Sequence, residues 1–240
     1  MRNRAKGLII TGVDHQVGGT TVAAVLARIC SDQGINTGVL IPAETGLADI
    51  TGPGPGARLL KWAARSQQTD EEVSPNRFIA PLDPATAASK EKKRIDFNAL
   101  INTAREALNK HDFTIIDGSG GLMQPLSGGL LLADLVVQLE LPLVVVCGVD
   151  SGAINHCLLT LFTARQMELA IAGYFINKMP ILKNIAEDNL AHSLAVMTMD
   201  ELLGVLNTVK GTEQEKVIAL AEQLTGLPTF TFLRPYLPPR

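Results

Sequence analysis

The sequence predicts an α/β fold built on a parallel sheet with helices on both faces. Three observations carry this. Short aliphatic runs alternate with helix-length segments along most of the chain, the pattern of repeated βαβ units. Aromatic residues make up only 4% of the chain, and 21 glycines accompany the aliphatic content, a mix that suits buried parallel strands and tight connections. At 240 residues, the chain suits one domain, expected over 1–240, that buries roughly 70–75% of its unfolded surface without a disulfide or metal.

The elements follow in order. Gly7–Thr11 is a strand, and Thr20–Gln33 a helix through Val22, Val25, Leu26 and Ile29, ended by Gly34. Thr37–Ile41 is a second strand stopped by Pro42, and 43–56, rich in Gly and Pro, a mobile loop. Ala57–Arg65 is a short helix, Ser74–Pro84 irregular, and Ile95–Lys110 an amphipathic helix. Phe113–Asp117 is a strand, Leu131–Leu139 a helix, Leu143–Gly148 a strand, Asn155–Met167 a helix and Ala172–Asn177 a strand. Beyond these, Asn184–Leu206 is expected to hold a helix, a short strand at Leu194–Thr198 and a second helix. Glu213–Leu224 reads as a helix and Thr229–Leu233, with alternating polarity, as a last strand.

Charge and composition exclude several classes. A formal charge of −3 and a pI near 5.8 offer no field for a polyanion, so nucleic acid is not expected as a partner. The stretch from Leu130 to Val149 contains Asp134, Glu140 and Pro142, which a membrane helix would bury at high cost. No membrane association is expected. Cys30, Cys147 and Cys157 are odd in number and lack metal-site spacing, so they read as reduced thiols of a cytoplasmic protein.

In a parallel α/β sheet, ligands bind beyond the carboxyl ends of the strands. The segment Gly12-Val-Asp-His-Gln-Val-Gly18-Gly19-Thr20-Thr21 joins a strand to a helix there. Its amides and the helix dipole make an anion cradle. A working P-loop carries a lysine after its second glycine; here that position is Gly19, and the Gly12–Gly18 spacing is one residue longer than the strict pattern. Asp117 ends its strand as a Walker B carboxylate does, so Thr20 and Asp117 are the candidate Mg²⁺ ligands. The alternative for the loop is a purely structural strand-to-helix turn; Asp117, taken alone, serves equally as a cap on Gly118–Gly121.

Several runs, taken together, resemble the dethiobiotin synthetases. They are Thr11–Thr20, Ile41-Pro-Ala-Glu-Thr-Gly46, Pro75–Pro84, Asp117–Leu126 with Ala133-Asp134, Gly148–His156, and Gly173-Tyr-Phe-Ile-Asn177. The likeness covers about 7–180 and resumes over 213–237; 181–212 looks like an insertion. It implies a P-loop NTPase-like, cytoplasmic homodimer using ATP and Mg²⁺ to carboxylate and close a ureido ring on a diamine carboxylate, 7,8-diaminopelargonate, in biotin synthesis. By the same resemblance Gly12, Asp14, Val17, Gly18, Gly19, Thr20, Thr21 and Asn177 meet the nucleotide. Thr45, Gly118, Gly120 and Gly121 meet the substrate. Gly152, Ala153, Ile154 and Asn155 hold its carboxylate across the dimer interface.

The departures fall on the chemistry. Gly19 and Ile41 stand where the family carries lysine, Gly56 where it carries an Mg²⁺-binding Asp, and Asp150 where some members carry Lys. Lys61, Lys178 and Asp49 are the candidate replacements, and His15 and His156 are lesser candidates. No catalytic residue is assigned. The alternative to an active ligase is a catalytically impaired relative that binds a nucleotide, another anion or a small ligand, or that regulates.

Overall fold

The computed structural model describes residues 6–238. Ten α-helices, one short 3₁₀ helix (Arg234–Tyr236) and eight strands follow one another among them. The first half holds β1 (Gly7–Gly12), α1 (Gly19–Asp32), β2 (Thr37–Leu40), α2 (Pro55–Ala64), α3 (Asp70–Val73), α4 (Pro84–Lys90), α5 (Phe97–Lys110) and β3 (Phe113–Gly121). The second holds β4 (Pro125–Ser127), β5 (Leu130–Leu131), α6 (Leu132–Leu139), β6 (Leu143–Cys147), α7 (Ala153–Gln166), β7 (Ile171–Met179), α8 (Ile185–Met197), β8 (Leu202–Asn207), α9 (Glu213–Gly226) and α10 (Phe230–Leu233).

Six strands form one parallel sheet in the order β2-β3-β1-β6-β7-β8, and β4 with β5 forms a small antiparallel ribbon. Strand alternation divides the sheet's side chains between two apolar layers. Leu8, Ile10, Val39, Ile115, Val144, Val146 and Phe175 join the layer with α1, α2 and α9. Ile9, Leu40, Ile116, Val145, Tyr174 and Ile176 join the layer with α5, α6, α7 and α8. Each such aliphatic side chain contributes about 1.5–3 kcal/mol of burial.

The expected strands β1, β2, β3, β6 and β7 and their helices are present, with ends shifted by a few residues. Two expectations are overturned. The run Leu194–Thr198 is the last turn of α8: a capping box between Asn184 and Glu187 starts that helix, and only Leu190 and Leu194, four apart, are buried on it. The strand in this region is β8, which pairs in parallel with β7 as the sheet edge, so 185–207 adds a helix and a strand to the sheet. Thr229–Leu233 is not a strand either. It is the helical turn α10, burying Phe230 and Leu233 at a spacing of three.

The loop after β2 is tied down over much of its length. Gly46 N–H donates to Ala80 O (3.1 Å) and Leu47 N–H to Phe78 O (3.1 Å). Glu44, buried, accepts from the backbone N–H of Gly54 (2.9 Å) and Ala57 (3.1 Å) and from the Ser74 hydroxyl (2.8 Å). Its carboxylate therefore caps α2, whose N-cap residue is Gly54.

Candidate functional site

The central position of β1, between β3 and β6, sets its following loop over the middle of the sheet's carboxyl edge. The loop is anchored at both ends: Thr11 Oγ1 donates to Gly120 O (3.0 Å) and Val13 N–H to Val146 O (2.9 Å). Gln16 and Gly18 both take the left-handed conformation, φ 62° and 93°. At Gly18 a side chain would collide with the Asn177 amide, so glycine is required there twice over. Helix α1 then starts at Gly19 with no side-chain cap, leaving its first N–H groups for a ligand.

A cleft of about 490 Å³ opens on this loop. Gly12, Asp14, Gly18, Gly19, Thr20 and Thr21 line its floor, with His15, Gln16, Ser119 and Gly120 beside them. The opposite wall comes from Asn177 and Lys178 at the end of β7, Asn207, Thr208 and Val209 after β8, and Glu213, Lys216 and Leu220 on α9. Val17 faces inward and is buried, but its carbonyl accepts from Asn177 Nδ2 (3.0 Å). Gly121 pairs with Gly12 beyond a register shift in the β1–β3 ladder, and Gly118 packs against Leu132.

Thr20 and Asp117 meet directly: Thr20 Oγ1 donates to Asp117 Oδ2 (2.5 Å), and Ser119 N–H to Oδ1 (3.0 Å). The Asp117 carboxyl is buried, and desolvation raises its pKa above the ordinary carboxylate value. The hydrogen bonds from Thr20 and Ser119 oppose that rise, and the nearby Glu44 charge adds to it. One hydroxyl and one carboxylate are the oxygen donors from which Mg²⁺ is held alongside phosphates and water. The donor set fits that ion. Among the described residues no group of three or more His, Cys, Asp or Glu is placed to hold a metal by itself.

Position 19 opens into space. A Cβ there would meet nothing nearer than Gly12 N at 3.7 Å and Asp117 Oδ1 at 3.9 Å. Ile41 is buried in the apolar layer. Its Cδ1 lies 3.1 Å from where a Cβ on Gly56 would stand, with Glu44 Oε1 at 3.2 Å and Thr20 Cγ2 at 3.4 Å. Positions 41 and 56 are thus neighbours beside Thr20.

Of the suggested replacements, only Lys178 reaches the cleft. It holds a left-handed backbone (φ 62°) and its Nζ donates to Gln16 O. Lys61 pairs with Asp70 (2.6 Å), and Asp49 accepts from Thr51 within its own turn; neither lines the cleft. Thr45 and the run 152–155 do not line it either. Gly152 N–H donates to Asp150 Oδ1 (2.8 Å) as α7 begins, Ala153 is buried, and Asn155 is exposed. The wall residues Asn207, Glu213 and Lys216 were not expected. Glu213, Lys216 and Leu220 share one face of α9, a spacing visible in the sequence, but the convergence of α9 on the β1–α1 loop is not.

A family model described as an AAA domain matches residues 6–226. The ATP-dependent dethiobiotin synthetase BioD of Bacillus licheniformis is 36% identical over 172 residues, 72% of this chain and 73% of that protein. Its namesake from Bacillus subtilis (strain 168) is 28% identical over 222 residues, 92% of this chain and 96% of that one. Among solved structures, a ParA family ATPase from Chlorobium tepidum TLS covers 96% of this chain and 94% of its own, with a TM-score of 0.56 and 13% identity. MinD of Pyrococcus horikoshii OT3, complexed with Mg-ADP, gives 0.54 at 17% identity, covering 92% and 96%. These structural likenesses establish a P-loop NTPase-like α/β fold. The match over most of the chain, and a relative more than one-third identical across nearly three-quarters of it, show that the chain belongs to the dethiobiotin synthetase family.

Proposed function

We propose that this protein binds ATP with Mg²⁺ at the β1–α1 loop and acts as a dethiobiotin synthetase-like ligase of strongly reduced turnover. The observation that carries this is the inner end of the cradle. Its amides, Thr20 and Asp117 are in place, whereas position 19 offers open space and no cation. ATP supplies the family reaction with an activating phosphoryl group, used to carboxylate 7,8-diaminopelargonate and close its ureido ring. In this chain the N–H groups of Gly18 to Thr21 would hold the phosphates, Thr20 and Asp117 the metal, and Asn177 the base. Lys178 sets one positive charge at the outer lip of the loop. Charge developing in phosphoryl transfer has no partner at the inner end. One missing donor of this kind costs about 10²–10³ in rate.

A second reading, nucleotide binding without turnover, is favoured by Ile41. Where the resemblance expects a lysine and an aspartate, Ile41 and Gly56 pack together, so two charged positions are lost at one spot.

A homodimer completes the proposal. Leu159 and Phe162 are each 56% exposed, and with Asn155 they form one face of α7 at spacings of four and three. That face continues from the helix start at 152–155, to which the resemblance assigns the substrate carboxylate, and Thr45 would complete that substrate site. No helix among the described residues is long and apolar enough to cross a membrane, and all three cysteines are free; we place the protein in the cytoplasm.

The test is calorimetric titration with Mg-ATP beside turnover with labelled bicarbonate and 7,8-diaminopelargonate, for the natural chain and Gly19→Lys. The natural chain should bind ATP with slow or no ring closure, and Gly19→Lys should tighten ATP by about tenfold or more. Absence of ATP binding in both proteins would sink the proposal.

A further inference from the structure

On the flank of the domain, remote in sequence from the β1–α1 loop, a second cleft of about 420 Å³ is lined by Ile50, Asn76, Arg77, Phe78, Lys93 and Arg94, with Pro75 at its edge. Three of these side chains are cations and none is an acid. Two of the cations are engaged by carboxylates that do not line the cleft: Arg77 Nη2 pairs with Glu71 (3.0 Å) and Lys93 with Glu91 (3.0 Å). The third, Arg94, is exposed at the rim. Arg77 is itself only 12% exposed in its side chain. Its second terminal nitrogen, Nη1, is buried without any hydrogen-bond partner. A buried, unpartnered N–H on a permanent cation is costly and rare in folded proteins.

The surroundings hold Arg77 in place. Phe78 is buried, and Lys93 Nζ lies 5.5 Å from the centre of its ring. The backbone at Arg77 pairs in parallel with Glu44, with Glu44 N–H donating to Asn76 O and Phe78 N–H to Glu44 O, each 2.9 Å. The Asn76 side chain is spent on Pro42 O (2.9 Å). Three positively charged residues therefore line one concave space, where a paired backbone fixes the main chain at Arg77 and the Glu71 ion pair engages one of its two terminal nitrogens.

We infer that this cleft is an anion site for a small oxyanion bearing two negative charges, a phosphate monoester or a dicarboxylate. Arg77 supplies the central guanidinium, turning its unpartnered Nη1 out to the ligand, and Lys93 and Arg94 reach it from the segment after α4. The planar guanidinium presents N–H groups at a separation that matches either oxyanion. Ile50 belongs to the loop that Glu44 ties to α2, so an occupant of the cleft sits against that loop as well. The site does not depend on nucleotide binding at the β1–α1 loop.

The full chain is titrated with inorganic phosphate and, separately, with succinate, at constant ionic strength and with heat as the readout. The same titrations are made on Arg77→Lys, which keeps the charge but loses the fork, and on Arg94→Ser. We expect saturable binding of at least one anion, about tenfold weaker in each variant. Tighter phosphate assigns a phosphate monoester, and tighter succinate a dicarboxylate. Phosphate held at the β1–α1 loop would be indifferent to both substitutions, so unchanged affinity in the variants overturns the site, as does the absence of binding at millimolar anion. Should Arg77→Lys lose its fold, Arg94→Ser decides alone, because Arg94 is exposed.

Discussion

Because Asp117 is buried, its carboxylate exists in the fold only against the cost of desolvation. A carboxyl whose folded pKa is raised contributes most stability below its ordinary pKa, where it is neutral in both states. That contribution is lost as the pH rises through the folded value. Asp117→Asn, whose Oδ1 still accepts from Ser119 N–H while its Nδ2 donates to the Thr20 hydroxyl oxygen, should therefore raise the thermal midpoint at pH 8. The gain should shrink toward pH 4 in melts followed by circular dichroism. The same variant should bind Mg²⁺-nucleotide less well. Burial also pushes the Cys30 thiol up to about 12. The Cys147 thiol is raised too, first by its hydrogen bond to Cys157 and then by burial. All three cysteines are buried, so native protein at pH 8 should resist iodoacetamide at each and take up three equivalents in urea, counted by mass spectrometry.

At this scale the sequence was readable where a residue's role is local. Thr20 lies just past the glycine turn and Asp117 ends an apolar strand, and they meet as expected. Lys178 and Lys216 reach the cleft only because the end of β7, the β8–α9 connection and α9 converge on the β1–α1 loop, which no short-range pattern encodes. Lys61 does not line the cleft, for the converse reason. It is close to the loop in sequence, but on its helix it points to Asp70.

Among the elements, α2 shows how a cap is supplied from a distance. Gly54 and Pro55 provide no side-chain acceptor at the helix start, and the Glu44 carboxylate, ten residues earlier, satisfies two of its N–H groups and the Ser74 hydroxyl. Glu44→Ala leaves those buried donors unpaired and should cost about 3 kcal/mol in urea unfolding, with Glu44→Gln less harmful. Gly56→Asp sets a second carboxylate beside Glu44 Oε1 and should lower the thermal midpoint. Adding Ile41→Lys should recover part of it, so a double-mutant cycle will show favourable coupling between 41 and 56. The capping role of Glu44 was not legible in the sequence, because its partners Gly54, Ala57 and Ser74 lie beyond the reach of any short-range pattern. The elements read incorrectly share one cause. Leu194–Thr198 and Thr229–Leu233 are short apolar runs whose periodicity fits either a strand or a helical turn. The Asn184–Glu187 box and Pro228 were the discriminating signals. In β8, Gly204 packs against Phe175, Leu224 and Leu227, a close approach that suits a strand better than a helix interior.

For the molecule as a whole, the exposed α7 face offers the test of the proposed homodimer. Phe162→Asp should leave the fold intact and shift the protein toward monomer in light scattering after size exclusion, and Leu159→Asp should act likewise. If the substrate carboxylate is held between subunits, the same variants should weaken diaminopelargonate binding while sparing ATP.

The strand order has a consequence for how the chain reaches this state. Every neighbour pair in the main sheet is parallel, so no hairpin nucleates it. β1 lies between β3 and β6, and its partners begin at Phe113 and Leu143. A chain emerging from the ribosome carries Leu8-Ile9-Ile10 with neither edge paired until more than a hundred residues have followed. Loops of that length must close before any contact in the sheet's centre stabilises them. Refolding should therefore be slow and sensitive to protein concentration, with the aliphatic central strands as the segments most open to misassociation while the molecule waits for β6.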